Sequence, residues 1–144
     1  MSHSYSQTII HLVFSTKDRR KSIPKELQAR LWAYIAAICQ KNKMFVHAIG
    51  GMEDHVHGLI QLPPTLAQAQ AVLLIKAYSS KWMGKGFAWQ KGYGVFSVSA
   101  SNVPAVVRYI ENQERHHRKR SFEQEFITLL KKHGVKFDPK YVFG

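Results

Sequence analysis

Apolar and polar side chains alternate near the start of the chain, from about Tyr5 to Ser15. Successive side chains of a β-strand point to opposite faces, so this alternation predicts a strand. Its two faces would carry Thr8, Ile10, Leu12 and Phe14 on one side, and Gln7, Ile9, His11 and Val13 on the other.

The apolar spacing changes to that of a helix after Ser22 and Pro24, which are typical of a helix start. This helix is expected to end near Lys41-Asn42, with an apolar stripe of Leu27, Leu31, Tyr34, Ile35 and Ile38. Turn and cap residues divide the next part of the chain. They first predict a strand from about Met44 to Ile49, stopped by Gly50-Gly51, and a strand from about His55 to Leu62, stopped by Pro63-Pro64. A helix capped by Thr65 follows and reaches about Trp82. An extended stretch from about Phe87 to Ser99 comes next, and Gly92 and Gly94 interrupt it.

Two helices are predicted after these elements. The first of them begins at Ser101 or Asn102, has Pro104 in its first turn and runs to about His117. Ser121 and Gln124 have the spacing of a capping box and predict the start of the last helix. Its apolar stripe is Phe122, Phe126, Leu129 and Leu130, and Gly134 is expected to end it.

The predicted order of elements is therefore β-α-β-β-α-β, followed by two helices. The first six match the ferredoxin-like plan, an α+β fold whose first and third strands lie at the centre of an antiparallel sheet. The chain has 144 residues, the length of one domain, so we assign residues 1–144 to a single domain.

The chain is strongly basic, with 21 Lys and Arg residues against 9 Asp and Glu residues and a net charge of +12. Such an excess is typical of proteins that bind nucleic acid. Two basic clusters are candidate phosphate contacts, although each is also explained by a solvated surface: Lys17, Arg19 and Arg20 form the first, and Arg115, Arg118, Lys119 and Arg120 form the second.

Other features of the composition exclude several classes of protein. The single cysteine, Cys39, excludes an internal disulfide and a Cys-rich zinc site. No apolar run approaches the roughly 18–20 residues of a membrane span, and Met1–Ser4 lacks the apolar segment of an export signal. We therefore expect a cytoplasmic protein with no membrane partner.

Two histidines one residue apart, His55 and His57, lie in the third predicted strand. Residues i and i+2 of a strand share a face, so the two imidazoles suit adjacent ligand positions on one metal ion, while Val56 points into the core. Two histidines on a half-exposed strand explain the triplet equally well. His11 should neighbour this strand, where it can support the site, and an ordinary sheet histidine is the interpretation that we favour.

Tyr109 and Gln113 are four residues apart in the third predicted helix and therefore share a face. The opposite stripe, formed by Val103, Val106, Val107 and Ile110, is expected to pack on the core. Taken alone, Tyr109 is typical of a surface or half-buried residue, and we interpret His116 and His117 as surface residues. Taken with the histidine pair, Gln113 can offer an amide oxygen to the same metal ion, and Tyr109 can reach a phosphate held there.

The His-hydrophobic-His triplet and the Tyr-x-x-x-Gln helix together resemble the HUH-type single-tyrosine transposases of small bacterial insertion sequences, of the insertion-sequence two-hundred type. The resemblance extends over nearly the whole chain and includes His11–Lys17, Gly51–Ile60, Phe96–Ser99 and His116–Arg118. It implies that His55, His57 and Gln113 bind a metal ion and that Tyr109 is the nucleophile.

The resemblance also implies a substrate, a cofactor and an assembly. The substrate is single-stranded DNA, often with a hairpin near each end of the element, which is cleaved and rejoined through a 5′-phosphotyrosine. The cofactor is Mg²⁺ or Mn²⁺, which imidazole, amide and water ligands suit. The assembly is a homodimer in which the tyrosine helix of one subunit often completes the histidine site of the other. The aromatic tail, Val135–Gly144, and the last helix are candidate interface segments.

Three alternatives remain open. A ferredoxin-like sheet with basic loops is also typical of RNA-binding modules, but those carry base-stacking aromatic residues on the central strands, where this chain carries His55 and His57. A domesticated relative would keep the same chemistry and act on dispersed repeat hairpins of its host genome. A relaxase or replication nickase of the wider HUH group would carry added domains, and the short chain counts against it.

Overall fold

The computed structural model describes residues 5–143 and contains a four-stranded antiparallel sheet with helices on both faces. The strands are β1 (Thr8–Ser15), β2 (Phe45–Met52), β3 (His55–Leu62) and β4 (Gly94–Ser97), in the order β2-β3-β1-β4. The helices are α1 (Lys25–Lys41), α2 (Gln68–Met83), α3 (Val103–Glu111), α4 (Gln113–His116) and α5 (Phe122–Lys132). The predicted α+β, ferredoxin-like class, with β1 and β3 central, is confirmed.

Both faces of β1 are buried, in the alternation that the sequence predicts. Ile10, Leu12 and Phe14 pack in a core with α1 and α2, and Val56 of β3 joins them. Ile9 and Val13 face the other side of the sheet, where they pack against residues of α3 and α5. The C-terminal helices therefore cover the second face of the sheet, which also carries the two histidines of β3.

The predicted bounds of two strands, β1 and β2, are wrong, because strand partners decide where a strand begins and ends. β1 begins at Thr8 instead of Tyr5: Thr8 pairs with Leu62, the last residue of β3, and Tyr5 is 95% exposed. β2 begins at Phe45 and continues through Gly50-Gly51 to Met52, because these residues keep their partners on β3.

The start of α2 also differs from the prediction. Thr65 does not cap this helix; it lies in a turn after Pro63-Pro64, in which the N–H of Leu66 donates to the carbonyl of Pro63. The helix begins three residues later, at Gln68. In the predicted stretch from Phe87 to Ser99, strand pairing is limited to β4 and to a single bridge between Trp89 and Thr16. Gly92 interrupts the stretch as predicted, with a φ of 82° that favours glycine, whereas Gly94 begins β4 instead of interrupting the stretch.

The predicted helix from Ser101 or Asn102 to His117 is broken at Asn112. Its backbone leaves the helical region (φ −103°, ψ 26°), and its side-chain amide donates to the carbonyl of Arg108 at 2.8 Å. An Asn side chain competes in this way with the backbone ladder of a helix. Tyr109 therefore lies near the end of α3 and Gln113 at the start of α4, although both still face the sheet.

The last helix has the predicted bounds and caps. Ser121 and Gln124 form the capping box, and Gly134, with a φ of 67°, follows the end of α5. The tail folds back on its own chain, where Phe137, Val142 and Phe143 pack against Phe122 and its neighbours, while Tyr141 stays 63% exposed. Two parts of the chain lie outside the described residues. They are Met1–Ser4, on which the expectation of no export signal rests, and Gly144, the last residue of the predicted tail. Within residues 5–143, no helix is both long enough and apolar enough to span a bilayer.

Candidate metal and nucleophile site

His55 and His57 project from the face of β3 that α3, α4 and α5 cover, and both side chains are completely buried. Close packing beside them depends on two glycines of β2. A Cβ on Gly50 would lie 2.7 Å from the carbonyl oxygen of Ile110, and one on Gly51 would overlap the carbonyl oxygen of His55. Gly50 lets α3 approach the sheet, so that Tyr109 and Gln113 reach the histidines, and Gly51 lets β2 lie close to the backbone of β3.

The predicted metal ligands form one cluster. Nε2 of His55 lies 2.8 Å from Oε1 of Gln113, which is itself buried. The imidazoles of His55 and His57 stand with their ring centroids 5.1 Å apart, as expected for residues i and i+2 of a strand. The structure therefore brings His55, His57 and Gln113 together, while their role in binding a metal stays a prediction.

The sequence analysis missed Glu125 of α5, which is completely buried at the centre of this cluster. Its Oε1 lies 2.9 Å from Nε2 of His57 and 3.4 Å from Nε2 of His55. Oε2 accepts hydrogen bonds from the amide of Gln113 at 3.1 Å and from the hydroxyl of Tyr109. The signal in the sequence is its position, because Glu125 interrupts the apolar face formed by Phe122, Phe126 and Leu129.

His117, interpreted from the sequence as a surface residue, belongs to the same cluster. Its Nε2 lies 3.1 Å from both Oε1 of Gln113 and Oε1 of Glu125. This prediction is wrong because His117 lies one helical turn after Gln113, with its N–H on the carbonyl of Gln113, and therefore shares the face that meets the histidines. His116 stacks on the ring of Tyr109, with centroids 4.6 Å apart, so it too contacts the site.

The three inward-facing imidazoles are each held at their other nitrogen. Nδ1 of His55 lies 2.6 Å from Oδ1 of Asp54, and Nδ1 of His57 lies 2.8 Å from Nε2 of His11. Nδ1 of His117 lies 2.9 Å from the carbonyl oxygen of Arg120. In the structure the Nε2 atoms face oxygen acceptors of Glu125 and Gln113, and loss of the Nε2 proton would free their lone pairs for a metal ion, as in protein metal sites. His11 therefore supports the site instead of being an ordinary sheet histidine.

Burial controls the protonation of this cluster. It lowers the pKa of His57 to about 4, although Glu125 opposes the shift, and lowers the pKa of His11 to about 3 with a contribution from His57. Burial alone would raise the pKa of Glu125, but the hydrogen bonds from His117 and His57 outweigh it and hold that pKa below its usual range. At neutral pH, Glu125 is therefore an anion, and His57 is in the neutral form that binds metal ions.

Tyr109 lies beside the cluster, half-buried, with its hydroxyl on Glu125. Burial raises the pKa of the phenol, and the negative charge of Glu125 raises it further. Arg120 acts in the opposite direction, since its guanidinium donates to the phenolic oxygen at 3.4 Å. The stripe of Val103, Val106, Val107 and Ile110 packs with Ile9 and Leu59 as predicted, but Tyr109 packs against the same cluster instead of lying on the opposite face.

These side chains can hold a metal ion. Donor atoms of His55, His57 and Glu125 all lie within 4.8 Å of one another, and the three residues are buried. Neutral imidazoles with a carboxylate and an amide oxygen are donors that Mn²⁺, Mg²⁺ and Zn²⁺ accept. The residues present therefore fit a divalent ion.

The predicted phosphate contacts are distributed around this site. Arg115, Arg118 and Lys119 are exposed at the end of α4, and Lys17 and Arg20 are exposed after β1. Arg19 instead binds within the chain: it pairs with Glu123 at 3.5 Å and donates to the carbonyl of Phe143 at 3.1 Å. A cavity of about 190 Å³ opens beside the cluster and is lined by Lys21, His117 and Arg120, among others.

Fold and site together define a ferredoxin-like protein with a basic surface and a buried histidine-carboxylate cluster next to a tyrosine. Residues 4–113 match the family model described as "Transposase IS200 like", so the chain belongs to the IS200-like transposase family, whose members are DNA strand-transfer enzymes. The chain is 23% identical over 124 residues to the transposase of insertion sequence element IS200 from Salmonella typhimurium, covering 78% of this chain and 81% of that protein. It is 26% identical over 114 residues to the ISDra2 transposase TnpA of Deinococcus radiodurans, covering 72% of this chain and 81% of that protein.

Solved structures with the same fold include two transposases. A putative transposase from Deinococcus radiodurans superposes with a TM-score of 0.64 at 25% identity, covering 78% of this chain and 95% of that one. A REP-associated tyrosine transposase bound to a REP hairpin superposes with a TM-score of 0.64 at 15% identity, covering 81% of this chain and 73% of that one. The second similarity concerns the fold alone.

Proposed function

We propose that this transposase cleaves and rejoins single-stranded DNA through a 5′-phosphotyrosine on Tyr109, with a divalent ion held by His55, His57 and Gln113. The observation that carries the proposal is the convergence of the tyrosine and the histidines: the hydroxyl of Tyr109 and Nε2 of His57 contact the two oxygens of one carboxylate, Glu125. A phosphoryl transfer of this kind requires a nucleophile close to the metal donors, and here a single carboxylate contacts both.

Each side chain has a separate task in this reaction. A divalent ion at the histidines would withdraw charge from a non-bridging oxygen of the scissile phosphate. His57 and His55 present their Nε2 atoms because His11 and Asp54 hold the opposite nitrogens. The hydroxyl proton of Tyr109 passes to solvent as the phenolic oxygen attacks the phosphorus atom. The bond to the 3′-oxygen breaks, that oxygen takes up a proton from solvent to give a 3′-OH, and the DNA 5′-phosphate is joined to the phenolic oxygen. The free 3′-OH of another strand can reverse the step without ATP, since the phosphoester bond is retained.

Tyr109 must lose its proton to attack, and its surroundings in the resting protein oppose this. Burial and the charge of Glu125 raise the pKa of the phenol. Arg120, which donates to the phenolic oxygen, favours the phenolate. We therefore assign to Arg120 the stabilisation of charge on the phenolic oxygen, in addition to any contact with a DNA phosphate.

The positive charge of the chain supports DNA as the partner. The net charge is +12. Arg120 lines the cavity beside the cluster and can guide a phosphate toward His117, whereas Lys21 in the same cavity is paired with Glu53 and Asp54 lies nearby. A transposase of the same fold has been solved with a DNA hairpin. We propose that single-stranded DNA next to a hairpin lies along this basic side, and that Lys17, Arg20, Arg115, Arg118 and Lys119 contact its phosphates; Arg19, which is paired within the chain, contributes less.

Arg118→Ala together with Lys119→Ala is expected to weaken single-strand binding without affecting the fold, because both side chains are exposed. Each phosphate contact on a single strand contributes about 0.7 to the slope of log K against log salt, so the slope should fall by about 1.4. Fluorescence anisotropy between low and moderate salt measures this slope. An unchanged slope would show that these two residues do not contact the DNA. The control is Lys81→Ala together with Lys85→Ala, two exposed lysines at the end of α2, on the other side of the sheet.

We further propose that the active protein is a homodimer. The contact of Tyr109 with Glu125 of the same chain supports attack within one subunit, and exchange of tyrosine helices between two subunits is the alternative arrangement. A mixed dimer of a Tyr109→Phe subunit and a His57→Ala subunit separates them, since it regains activity only when sites are shared.

The proposed function is tested by a denaturing gel. Wild-type protein is mixed with labelled single strands from both flanks of its gene, with Mn²⁺, Mg²⁺ or EDTA, and with the matching duplex. A covalent adduct that forms only on single strands and only with metal, and whose labelled peptide contains Tyr109, is the expected result. Tight binding without an adduct on any strand or metal would favour a non-catalytic nucleic-acid-binding module. A domesticated relative would give the same adduct, and element ends on both flanks of the gene identify a mobile one.

A further inference from the structure

The donor atoms around Glu125 have the spacing of a metal coordination shell. Its Oε1 lies 2.9 Å from Nε2 of His57, 3.1 Å from Nε2 of His117 and 3.4 Å from Nε2 of His55. Two ligand atoms bound at about 2.1 Å lie about 3.0 Å apart at a right angle and about 3.4 Å apart at a tetrahedral angle. This carboxylate oxygen therefore stands at a neighbouring-ligand distance from all three imidazole nitrogens.

We propose that Glu125 of α5 is itself a direct ligand of the metal ion and supplies the anionic group of the centre. The inference deepens the proposed function and rests on it only for the presence of a divalent ion at His55 and His57. It adds a ligand from a helix that lies beyond residues 4–113, which the family model matches. The last helix would then be part of the active centre instead of an appended surface segment.

Charge is the first argument for a carboxylate ligand. His55, His57 and Gln113 offer neutral donor atoms, whereas the ion carries two positive charges into a site that is completely buried. A buried charge is costly unless an opposite charge compensates it. Glu125 places one negative charge within 3.4 Å of the imidazole nitrogens, whereas Asp54 contacts only the outer nitrogen of His55.

The orientation of Gln113 is the second argument. Its Nε2 donates to Oε2 of Glu125 at 3.1 Å, which turns its Oε1 toward His55 and His117. Glu125 thus supplies one donor atom and aims a second. Two or three imidazoles with one carboxylate and one amide oxygen favour Mn²⁺ over Mg²⁺, because nitrogen ligands suit transition metals better. We therefore expect Mn²⁺ to bind the protein more tightly than Mg²⁺.

The test measures metal binding without DNA. The full-length protein is titrated with Mn²⁺, and free Mn²⁺ is followed by electron paramagnetic resonance, for the wild type, Glu125→Gln and Glu123→Gln. Removal of an outer partner of a metal ligand costs 10–100-fold in affinity, so loss of a direct ligand should cost at least about a hundredfold. Glu123→Gln, an exposed carboxylate on the same helix, should stay within about twofold of the wild type. Equal or tighter binding by Glu125→Gln would overturn the inference, because Glu125 would then only occupy the place of the ion.

A second variant distinguishes a direct ligand from a neighbour and decides the question if Glu125→Gln does not fold. Glu125→Cys puts a thiolate at this position, and Cd²⁺ bound to it gives a thiolate-to-metal charge-transfer band in the ultraviolet. Cys39 is buried on the opposite face of the sheet, so the wild-type protein provides the background spectrum. Appearance of the band supports direct ligation, whereas a folded variant that lacks the band and binds Cd²⁺ as tightly as the wild type contradicts it.

Failure of this inference and failure of the proposed function give different results. If the wild type forms the DNA adduct and Glu125→Gln keeps the Mn²⁺ affinity of the wild type, only the assignment of Glu125 as a ligand is overturned. If the Mn²⁺ affinity depends on Glu125 but the wild type forms no adduct, only the proposed strand-transfer function is overturned. If the wild type binds neither Mn²⁺ nor Mg²⁺, both proposals are overturned.

Discussion

Tyr109→Phe is expected to reduce the covalent DNA adduct by at least about a thousandfold, because it removes only the nucleophilic oxygen. The ring of Tyr109 would still stack on His116 and pack near Ile9 and Leu59. DNA affinity should therefore stay close to that of the wild type, since no phosphate contact is lost. The adduct is measured on a denaturing gel and the affinity by fluorescence anisotropy, on the same labelled single strand.

The matched control for this prediction is Tyr141→Phe. Tyr141 is 63% exposed on the tail and contacts neither the histidines nor Glu125, so its loss should leave adduct formation unchanged. A Tyr109→Phe protein that still becomes covalently joined to DNA would show that another side chain is the nucleophile. Loss of DNA binding along with the adduct would instead show that Tyr109 holds the substrate.

The sequence predicted the parts of the site that are local along the chain. His55 and His57 share a face because they are two residues apart in a strand, and Tyr109 and Gln113 lie near each other because they are four apart. Both relations hold in the structure, even though the helix breaks between Tyr109 and Gln113. The first relation is fixed by the geometry of a single strand, and the second survives the break because both side chains still reach Oε2 of Glu125.

Glu125 could not be predicted in the same way, because its contacts join elements that are far apart along the chain: it lies 68 residues from His57. His117 lies four residues after Gln113, so the spacing that brings Tyr109 and Gln113 together also indicates its position. The sequence predicts α5 as an amphipathic helix with an acidic residue on its apolar side, yet it does not say which face of the sheet the helix covers. That choice decides whether the histidines are exposed or completely buried.

The buried position of His57 makes His57→Ala the other large expected effect. His57 lies between His11 and Glu125, so its removal deletes a proposed metal ligand and leaves Nε2 of His11 and Oε1 of Glu125 with fewer partners. We expect Mn²⁺ affinity to fall by at least about a hundredfold and the metal-dependent adduct to disappear with it. Loss of a buried hydrogen-bonding side chain should also lower the free energy of unfolding by about 1–3 kcal/mol.

His47→Ala is the control, because His47 lies on β2 beside Phe45 and away from the cluster. It should retain the adduct and the Mn²⁺ affinity of the wild type. Thermal unfolding of both variants shows whether His57→Ala is still folded at the assay temperature, so that instability is not mistaken for a chemical effect. If the folded His57→Ala protein formed the adduct as fast as the wild type, and equally fast in EDTA, the cluster would be a polar core that positions α5, and Tyr109 would attack without a metal ion. If it kept Mn²⁺ affinity but lost the adduct, His57 would act on the DNA and the ion would be bound by the remaining donors.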